Sequence, residues 1–358
     1  MKVLITGASG FVGRHLIDHL SGAAGKPPVK GRAFGSPLAR GLYPRASTAE
    51  MDPPGKPGAP AAVKIFGTCF PEKPEHCADL RRQSPPVRLI HVDLRSADSV
   101  AGLIETVRPD RIFHLAAISH VRTSWERRRE TLETNLMGTF HLYEAVRLYA
   151  PKARILFVSS SDVYGYLEPK ESARAFREKE RNGVVSPYAF TKAGGELLSE
   201  FYAASERLDI VVARPFPHTG PGQTADFVCS DWARQIALIE KGKIAPVISV
   251  GNLRPRRDYS DVRDVVRAYG LLMKKGKRGE VYNIATGKAP SLKEILRTLL
   301  SFSTRRIEVR VDPEKLRKAD IPYLAGANAK IKARTGWEPR IPLEKTLRDL
   351  LEYWRSAA

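Results

Sequence analysis

Cysteine is scarce in this 358-residue chain: Cys69, Cys77 and Cys229 are the only three, with neither a CxxC pair nor Cys/His zinc spacing. So sparse and odd a set excludes a disulfide-stapled scaffold and a structural zinc site, and it fits a reducing, cytoplasmic setting. Long apolar runs are missing too. No stretch of about 18 uninterrupted apolar residues occurs, so no helical membrane span is expected. The start, Met1 to Gly10, lacks the apolar core of roughly 7–15 residues that a secretion signal requires, because glycine arrives at Gly7. No targeting segment is expected. Acidic residues are outnumbered, 39 against 59 basic ones, for a net charge of +20. The excess lies in short clusters such as Arg127 to Arg129, Lys274 to Arg278, and Arg305 with Arg306. That dispersal argues against a nucleic-acid partner and for a solvated basic surface, or attraction of an anionic nucleotide substrate.

What is present is a pattern of alternating elements. Val3, Leu4 and Ile5 run into Gly7-Ala8-Ser9-Gly10-Phe11-Val12-Gly13, after which residues 14–20 have helical spacing: strand, glycine turn, helix. Further apolar strand signals lie at 63–66, 88–92, 112–115, 155–158 and 210–213, with helical patterns at 99–108, 131–149 and 189–207. Repeated βα units with apolar strands predict an α/β fold: a doubly wound, Rossmann-type parallel sheet covered on both faces. Residues 22–61 break the rhythm, with seven Gly and eight Pro in 40 positions, and are expected to form a mobile insertion. After Phe216 the alternation stops. The expected organisation is therefore a dinucleotide-binding domain over 1–214 and a smaller, partly interleaved substrate-binding region over 215–358.

The glycine turn has a physical use at each position. Gly7 permits the tight turn, Gly10 lets backbone approach a pyrophosphate, and Gly13 lets helix and sheet pack closely, with the helix N-terminus facing the phosphates. The exit of the second strand reads Gly67-Thr68-Cys69-Phe70 and holds no acid to select an unmodified ribose. Thr68 with Lys73, Arg81 or Arg82 is then a candidate receiver for a 2′-phosphate, which favours NADP over NAD. Asp93 follows the third strand, placed to accept from an adenine amino group. His15 and His19 stand four apart on the first helix but lack the glutamate of an HExxH zinc site, and are read as ordinary helix-surface residues; no metal is expected.

Ser186-Pro187-Tyr188-Ala189-Phe190-Thr191-Lys192 has the form of a helix start, Ser at the cap and Pro in the first turn. Tyr188 and Lys192 are then i and i+4 on one face. A free phenol, with pKa about 10, is a poor acid or base at neutral pH, whereas a neighbouring ammonium stabilises its phenolate. Ser159-Ser160-Ser161-Asp162-Val163-Tyr164-Gly165 follows the fifth strand and sets hydroxyls at the ligand-binding edge of a parallel sheet.

Together, the glycine turn, His114-Leu115-Ala116-Ala117, Asn135 with Gly138-Thr139, the Ser160 to Gly165 segment and the Tyr188/Lys192 pair resemble the extended short-chain dehydrogenase/reductase family. Within it, Arg214-Pro215-Phe216-Pro217-His218-Thr219-Gly220-Pro221-Gly222-Gln223, Arg257 to Asp264, and Thr335 to Pro342 are similar to the GDP-6-deoxy-D-mannose reductases. The likeness covers nearly all of the chain except 22–61. It implies Tyr188 as acid/base, Ser160 as partner of the reacting oxygen, Lys192 as holder of the nicotinamide ribose, and Asn135 as support for the lysine. Asp162 stands where the related dehydratases carry a glutamate that removes a C5 proton; it is one methylene shorter, and a turn-capping role is the alternative. Cofactor contacts are implied for Gly7, Ser9, Gly10, Phe11, Val12, Gly13, Asp93, Leu94, Leu115, Ala116, Ala117, Asn135, Val158, Tyr188, Lys192, Pro215 and His218. Substrate contacts are implied for Ser119, Ser160, Pro217, Phe227, Val228, Arg257 and Arg317.

Two positions depart from the family pattern: Pro217 replaces an asparagine, and Lys318 replaces a proline. The implied activity is NAD(P)H-dependent reduction of the 4-keto group of a GDP-linked 4-keto-6-deoxy sugar to GDP-D-rhamnose, by a homodimer. The alternatives are a GDP-mannose 4,6-dehydratase or another nucleotide-sugar epimerase/dehydratase, and a non-catalytic Rossmann binding protein.

Overall fold

The apolar run after Lys2 forms β1 (Lys2–Thr6), and the glycine turn that follows opens α1 (Phe11–Leu20). The structure, a computed structural model, describes residues 1–22, 63–70, 87–165, 174–180, 183–316 and 321–358. The expected insertion beyond residue 22, together with Lys73, Cys77, Arg81, Arg82, Arg317 and Lys318, lies outside the described residues. The first half continues as β2 (Lys64–Cys69), β3 (Val87–His91), α2 (Ala97–Val107), β4 (Arg111–His114), α3 (Val121–Glu126), α4 (Arg128–Leu132), α5 (Gly138–Tyr149), β5 (Arg154–Val158), α6 (Pro187–Ala204) and β6 (Asp209–Pro215). Each expected strand between 63 and 213 has its counterpart.

The helix expected over 131–149 is not continuous. A π-helical turn, Glu133–Met137, separates α4 from α5. The buried Asn135 at its centre accepts from the Ile118 amide (2.8 Å) and donates to the Ile118 carbonyl (3.1 Å), and the widened turn lets its side chain reach that loop. Such insertions in a helix recur at functional sites.

The second half comprises β7 (His218–Thr219), α7 (Val228–Glu240), β8 (Val247–Val250), β9 (Arg256–Arg257), β10 (Ser260–Asp261), α8 (Val262–Lys275), β11 (Val281–Ile284), α9 (Leu292–Ser301), β12 (Glu308–Val311), β13 (Tyr323–Leu324), α10 (Ala329–Thr335) and α11 (Leu343–Ala357). Seven strands form one sheet in the order β11-β6-β5-β4-β1-β2-β3, every neighbouring pair parallel. The strand order reverses between β1 and β4, so the crevice beyond Thr6 and His114 is where a ligand binds in such a sheet. β11 reaches the sheet edge from beyond residue 214, while β7–β10, β8–β12 and β9–β13 make three small parallel ladders outside it.

Both faces of the sheet are covered. Leu16 and Ile17 of α1 join Val265, Tyr269 and Leu272 of α8 on one face; Leu103 of α2, Leu142 and Val146 of α5, and Tyr202 of α6 fill the other. A separate core of Trp232, Ile236, Leu296, Leu350 and Trp354 holds α7, α9 and α11 together. Each such side chain, fully buried, contributes about 1.5–3 kcal/mol. Among the described residues no helix is long and apolar enough to cross a membrane.

Candidate active site

The glycine turn closes tightly on the sheet. Gly7 takes φ +72°, and a Cβ there would lie 3.0 Å from the Ala116 backbone; a Cβ on Gly13 would lie 2.4 Å from the Gly7 carbonyl oxygen. Bare backbone is therefore required at both positions. The Gly7 amide donates to Thr68 Oγ1 (3.2 Å) and the Ala8 amide to the Thr68 carbonyl (3.1 Å), which ties the turn to β2. α1 begins at Gly10 with no side-chain cap and no acidic residue in its first turn. Its uncapped N–H groups and positive dipole end suit a pyrophosphate, so the residues present fit a dinucleotide.

Behind the crevice His114 is fully enclosed. Thr139 Oγ1 donates to the Asn135 carbonyl (2.6 Å), so it accepts from His114 Nε2 (2.9 Å); Nδ1 then accepts from Thr6 Oγ1 (2.7 Å), which itself accepts the Ala116 amide (3.2 Å). This network assigns the tautomer. Burial, then the nearby Lys192 ammonium, pulls the imidazole down to about 3, and the ring stays neutral.

Tyr188 and Lys192 come from the first turns of α6, whose start is fixed by Ser186 Oγ accepting the Ala189 amide (3.0 Å). Lys192 Nζ donates to the Val158 carbonyl (2.7 Å) and lies 5.9 Å from the centre of the Tyr188 ring. Burial pulls its ammonium down to about 8, opposed by the Glu196 carboxylate. The expectation of a phenol eased toward phenolate by Lys192 does not describe this arrangement. Burial and the Asp162 carboxylate push Tyr188 above the ordinary tyrosine range, against a hydrogen bond with Ser160 that pulls the other way. Tyr188 is thus a neutral phenol at pH 7. Ser160, and not Asp162, caps the following 3₁₀ turn, its Oγ accepting the Asp162 amide (3.2 Å). Asn135 Nδ2 donates to Thr191 Oγ1 (3.0 Å), whose hydroxyl donates to the Tyr188 carbonyl (2.8 Å); its described bonds therefore steady the helix start and the Ile118 loop.

A second group that the sequence reading left without a role stands directly behind. Glu196, one turn beyond Lys192 on the same face, accepts Ser159 Oγ (2.5 Å) and two parallel bonds from Arg214, Nε (2.6 Å) and Nη2 (2.5 Å). Arg214 Nη1 also reaches Tyr164 Oη (3.0 Å), which donates to Asn283 Oδ1 (2.6 Å). Helical spacing from Tyr188 and Lys192 would have singled out Glu196; its partner on β6 is visible only in three dimensions.

The other candidates fall into place around this centre. Ser9, Phe11, Val12, Leu115, Ala116, Ala117, Pro217, His218, Phe227 and Val228 are half-buried, and Leu94 is buried against Gly138. Pro215 closes β6, and Ser119 is exposed. Phe11 is sandwiched between His218, stacked at 6.4 Å, and His15, edge-on at 5.3 Å. His15 is consequently no surface residue: its Nε2 donates to the Pro221 carbonyl (2.9 Å). Among the described residues no cluster could hold a metal ion. Asp93 is gripped by Arg95 through both carboxylate oxygens, at 2.8–3.0 Å. The carboxylates of Asp258 and Asp261 serve Thr286 with Gly287, and Arg263 with Thr346.

The chain has counterparts among known proteins. The family described as GDP-mannose 4,6 dehydratase matches residues 70–350. The chain belongs to that family. It is 34% identical over 264 residues to the GDP-6-deoxy-D-mannose reductase of Pseudomonas aeruginosa, covering 74% of this chain and 86% of that protein. A GDP-mannose 4,6-dehydratase of Yersinia enterocolitica is 28% identical over 306 residues, covering 76% of this chain and 80% of that one. In three dimensions the structure of RMD from Pseudomonas aeruginosa complexed with NADPH superposes with a TM-score of 0.76 at 28% identity, covering 100% of this chain and 99% of that one. The UDP-glucose 4-epimerase of Thermus thermophilus in complex with NAD, at 24% identity and a TM-score of 0.77 with full coverage of both chains, shares the fold. The family membership and the Rossmann-type fold are those that the sequence motifs imply.

Proposed function

We propose that this chain is a nucleotide-sugar reductase that uses NAD(P)H to reduce the 4-keto group of a GDP-linked 4-keto-6-deoxy sugar, yielding GDP-D-rhamnose. The observation that carries the reading is the grouping of Tyr188 with Lys192, 5.9 Å from the centre of its ring and anchored on the Val158 carbonyl, and with Ser160 at the exit of β5. A reduction needs a proton donor at the carbonyl oxygen, and a buried protonated phenol is one. When bound, the cofactor supplies a hydride to C4. Ser160 then holds the carbonyl oxygen, Tyr188 delivers its proton to that oxygen as the alcohol forms, and Lys192, anchored on the Val158 carbonyl, orients the cofactor ribose.

The uncapped start of α1 receives the pyrophosphate, with Ser9, Phe11 and Val12 around it. Residues 1–214 form the cofactor half. Residues 215–358 hold the sugar nucleotide through Pro217, Phe227, Val228 and Arg257, while returning β11 and α8 to the first half. The 34% identity to a GDP-6-deoxy-D-mannose reductase supports the substrate class.

The dehydratase reading is the alternative. It requires a base at C5, and the residue beside Tyr188 is Asp162, whose carboxylate sits on a shorter stem than the family's glutamate. Stoichiometric oxidation of NAD(P)H by a GDP-4-keto-6-deoxy sugar, with little turnover of GDP-mannose alone, is the expected result. Conversion of GDP-mannose to the keto sugar without net cofactor use, abolished by Asp162→Asn, would overturn it.

A homodimer belongs to the same reading. Leu136 and Met137 of the π-helical turn, Phe140 of α5 and Leu197 of α6 line one apolar depression, and Phe190 and Phe201, also exposed, stand at helical spacing from Leu197 on α6. Contiguous exposed apolar surface of this kind marks a protein interface, and a two-helix face can pair with its own copy about a twofold axis. The buried thiols of Cys69 and Cys229 suit the cytoplasm.

A further inference from the structure

The opening N–H groups of a helix have no partner inside it, and those of α6, which carries Tyr188, are met one by one. Pro187, at the first position, has no N–H to satisfy. The Ala189 amide donates to Ser186 Oγ (3.0 Å) and the Phe190 amide to the Ser186 carbonyl (2.9 Å), so the helix's own cap serves both. That leaves the amide of Tyr188 itself. It donates to Ser124 Oγ (3.3 Å), on a fully buried side chain of α3 that is 64 residues away in sequence. The Ser124 hydroxyl spends its hydrogen on the Val121 carbonyl (2.6 Å), which leaves its lone pairs for the Tyr188 amide.

The Tyr188 carbonyl is gripped as well. It accepts Thr191 Oγ1 (2.8 Å), which accepts Asn135 Nδ2 (3.0 Å), and Asn135 in turn holds both backbone polar groups of Ile118. Ile118 and Ser124 belong to one segment, the turn that leaves β4 and enters α3. Residues 118–124 thus fix the Tyr188 backbone from both of its ends. The segment is itself braced by the second half of the chain: His120, at the start of α3, packs edge-on against Phe227 at 5.8 Å, and its Nδ1 lies 3.1 Å from Thr123 Oγ1. A phenol on a rigid ring has only two side-chain torsions, so any displacement of its backbone is passed to the hydroxyl. A general acid must come within hydrogen-bond reach of the oxygen it protonates, about 2.6–3.2 Å.

We infer that Ser124 is a positioning residue for proton transfer: by holding the Tyr188 amide it sets the reach of the Tyr188 hydroxyl to the reacting oxygen, acting through the backbone. The inference rests on the proposed reductase reading. Ser124→Ala removes the acceptor and leaves the Tyr188 amide unmet. With NADPH and a GDP-4-keto-6-deoxy sugar, kcat should fall about tenfold while the NADPH dissociation constant changes less than about twofold, since small misplacements of a catalytic group act on the chemical step. The solvent deuterium isotope effect on kcat should rise, because proton delivery then limits more of the turnover. Ser124→Cys, close in size and with a weaker acceptor, should fall between.

Hydrogen exchange over residues 186–192 of the full chain, followed by mass spectrometry without substrate, reads the same bond independently of turnover. It should quicken in Ser124→Ala while exchange in α7 and α11 stays as it was. Unchanged exchange at the start of α6, or a lower kcat with an unchanged isotope effect and quickened exchange throughout the chain, would make Ser124 an ordinary core residue and overturn the inference. Failure of the unaltered protein to oxidise NADPH with the keto sugar would refute the reductase reading instead, and the exchange comparison would still decide whether Ser124 holds Tyr188.

Discussion

The buried Glu196–Arg214 pair gives a prediction whose size follows from its surroundings. Arg214 is completely enclosed and Glu196 keeps 2% of its side-chain surface, so neither charge has bulk water as a partner. Arg214→Met removes the two parallel bonds to Glu196 and the bonds to Tyr164 Oη and the Glu178 carbonyl. It leaves the Glu196 carboxylate buried without its guanidinium. Breaking a buried pair from one side costs about 3–5 kcal/mol, which is large against a total stability of roughly 5–15 kcal/mol. Replacing both partners, as in Glu196→Met with Arg214→Met, removes the uncompensated charge and should recover most of that loss.

Equilibrium urea unfolding followed by circular dichroism gives the difference for the two single variants and the double variant. The same perturbation should reach the chemistry. Glu196 accepts Ser159 Oγ, and Ser159 precedes Ser160, so the single variants should also lower kcat while the double variant does so less. A loss below about 1 kcal/mol in Arg214→Met, or a double variant as unstable as the sum of the singles, would refute the pair as a coupled buried unit.

Other outcomes test the site directly. Tyr188→Phe should lower turnover by roughly a hundredfold or more, the usual span for a lost general acid, with NADPH binding nearly intact; near-native turnover would remove Tyr188 from its role. Gly13→Ala drives a Cβ to within 2.4 Å of the Gly7 carbonyl oxygen, and should cost about 1–3 kcal/mol in a thermal melt together with most nucleotide affinity. Lys192, whose ammonium is pulled down to about 8, is charged below that pH and neutral above it, so NADPH affinity should fall as pH rises through about 8. Tyr188, pushed up, stays protonated across the same range, so the reduction step should not share that decline. Asp162→Asn should leave reduction within about tenfold, or 1.4 kcal/mol, because burial, the larger cause, still holds the Tyr188 phenol above its ordinary range.

Much of this protein is determined locally and could be read from residue order. The strand, glycine turn and helix at the start, the alternating βα units up to residue 213, and the Tyr188/Lys192 spacing depend on periodicity and on backbone freedom at Gly7 and Gly13. Those properties act over a few neighbours. Other features depend on contacts between residues far apart in sequence. The π-helical turn sets Asn135 against Ile118; Glu196 acquires its guanidinium from the end of β6; Arg95 is brought to Phe70 by the pairing of β2 with β3. The direction in which the Tyr188 phenol shifts depends on such contacts too. Spacing reveals the adjacent ammonium, but burial and the Asp162 carboxylate, supplied by the packed fold, act more strongly on the phenol.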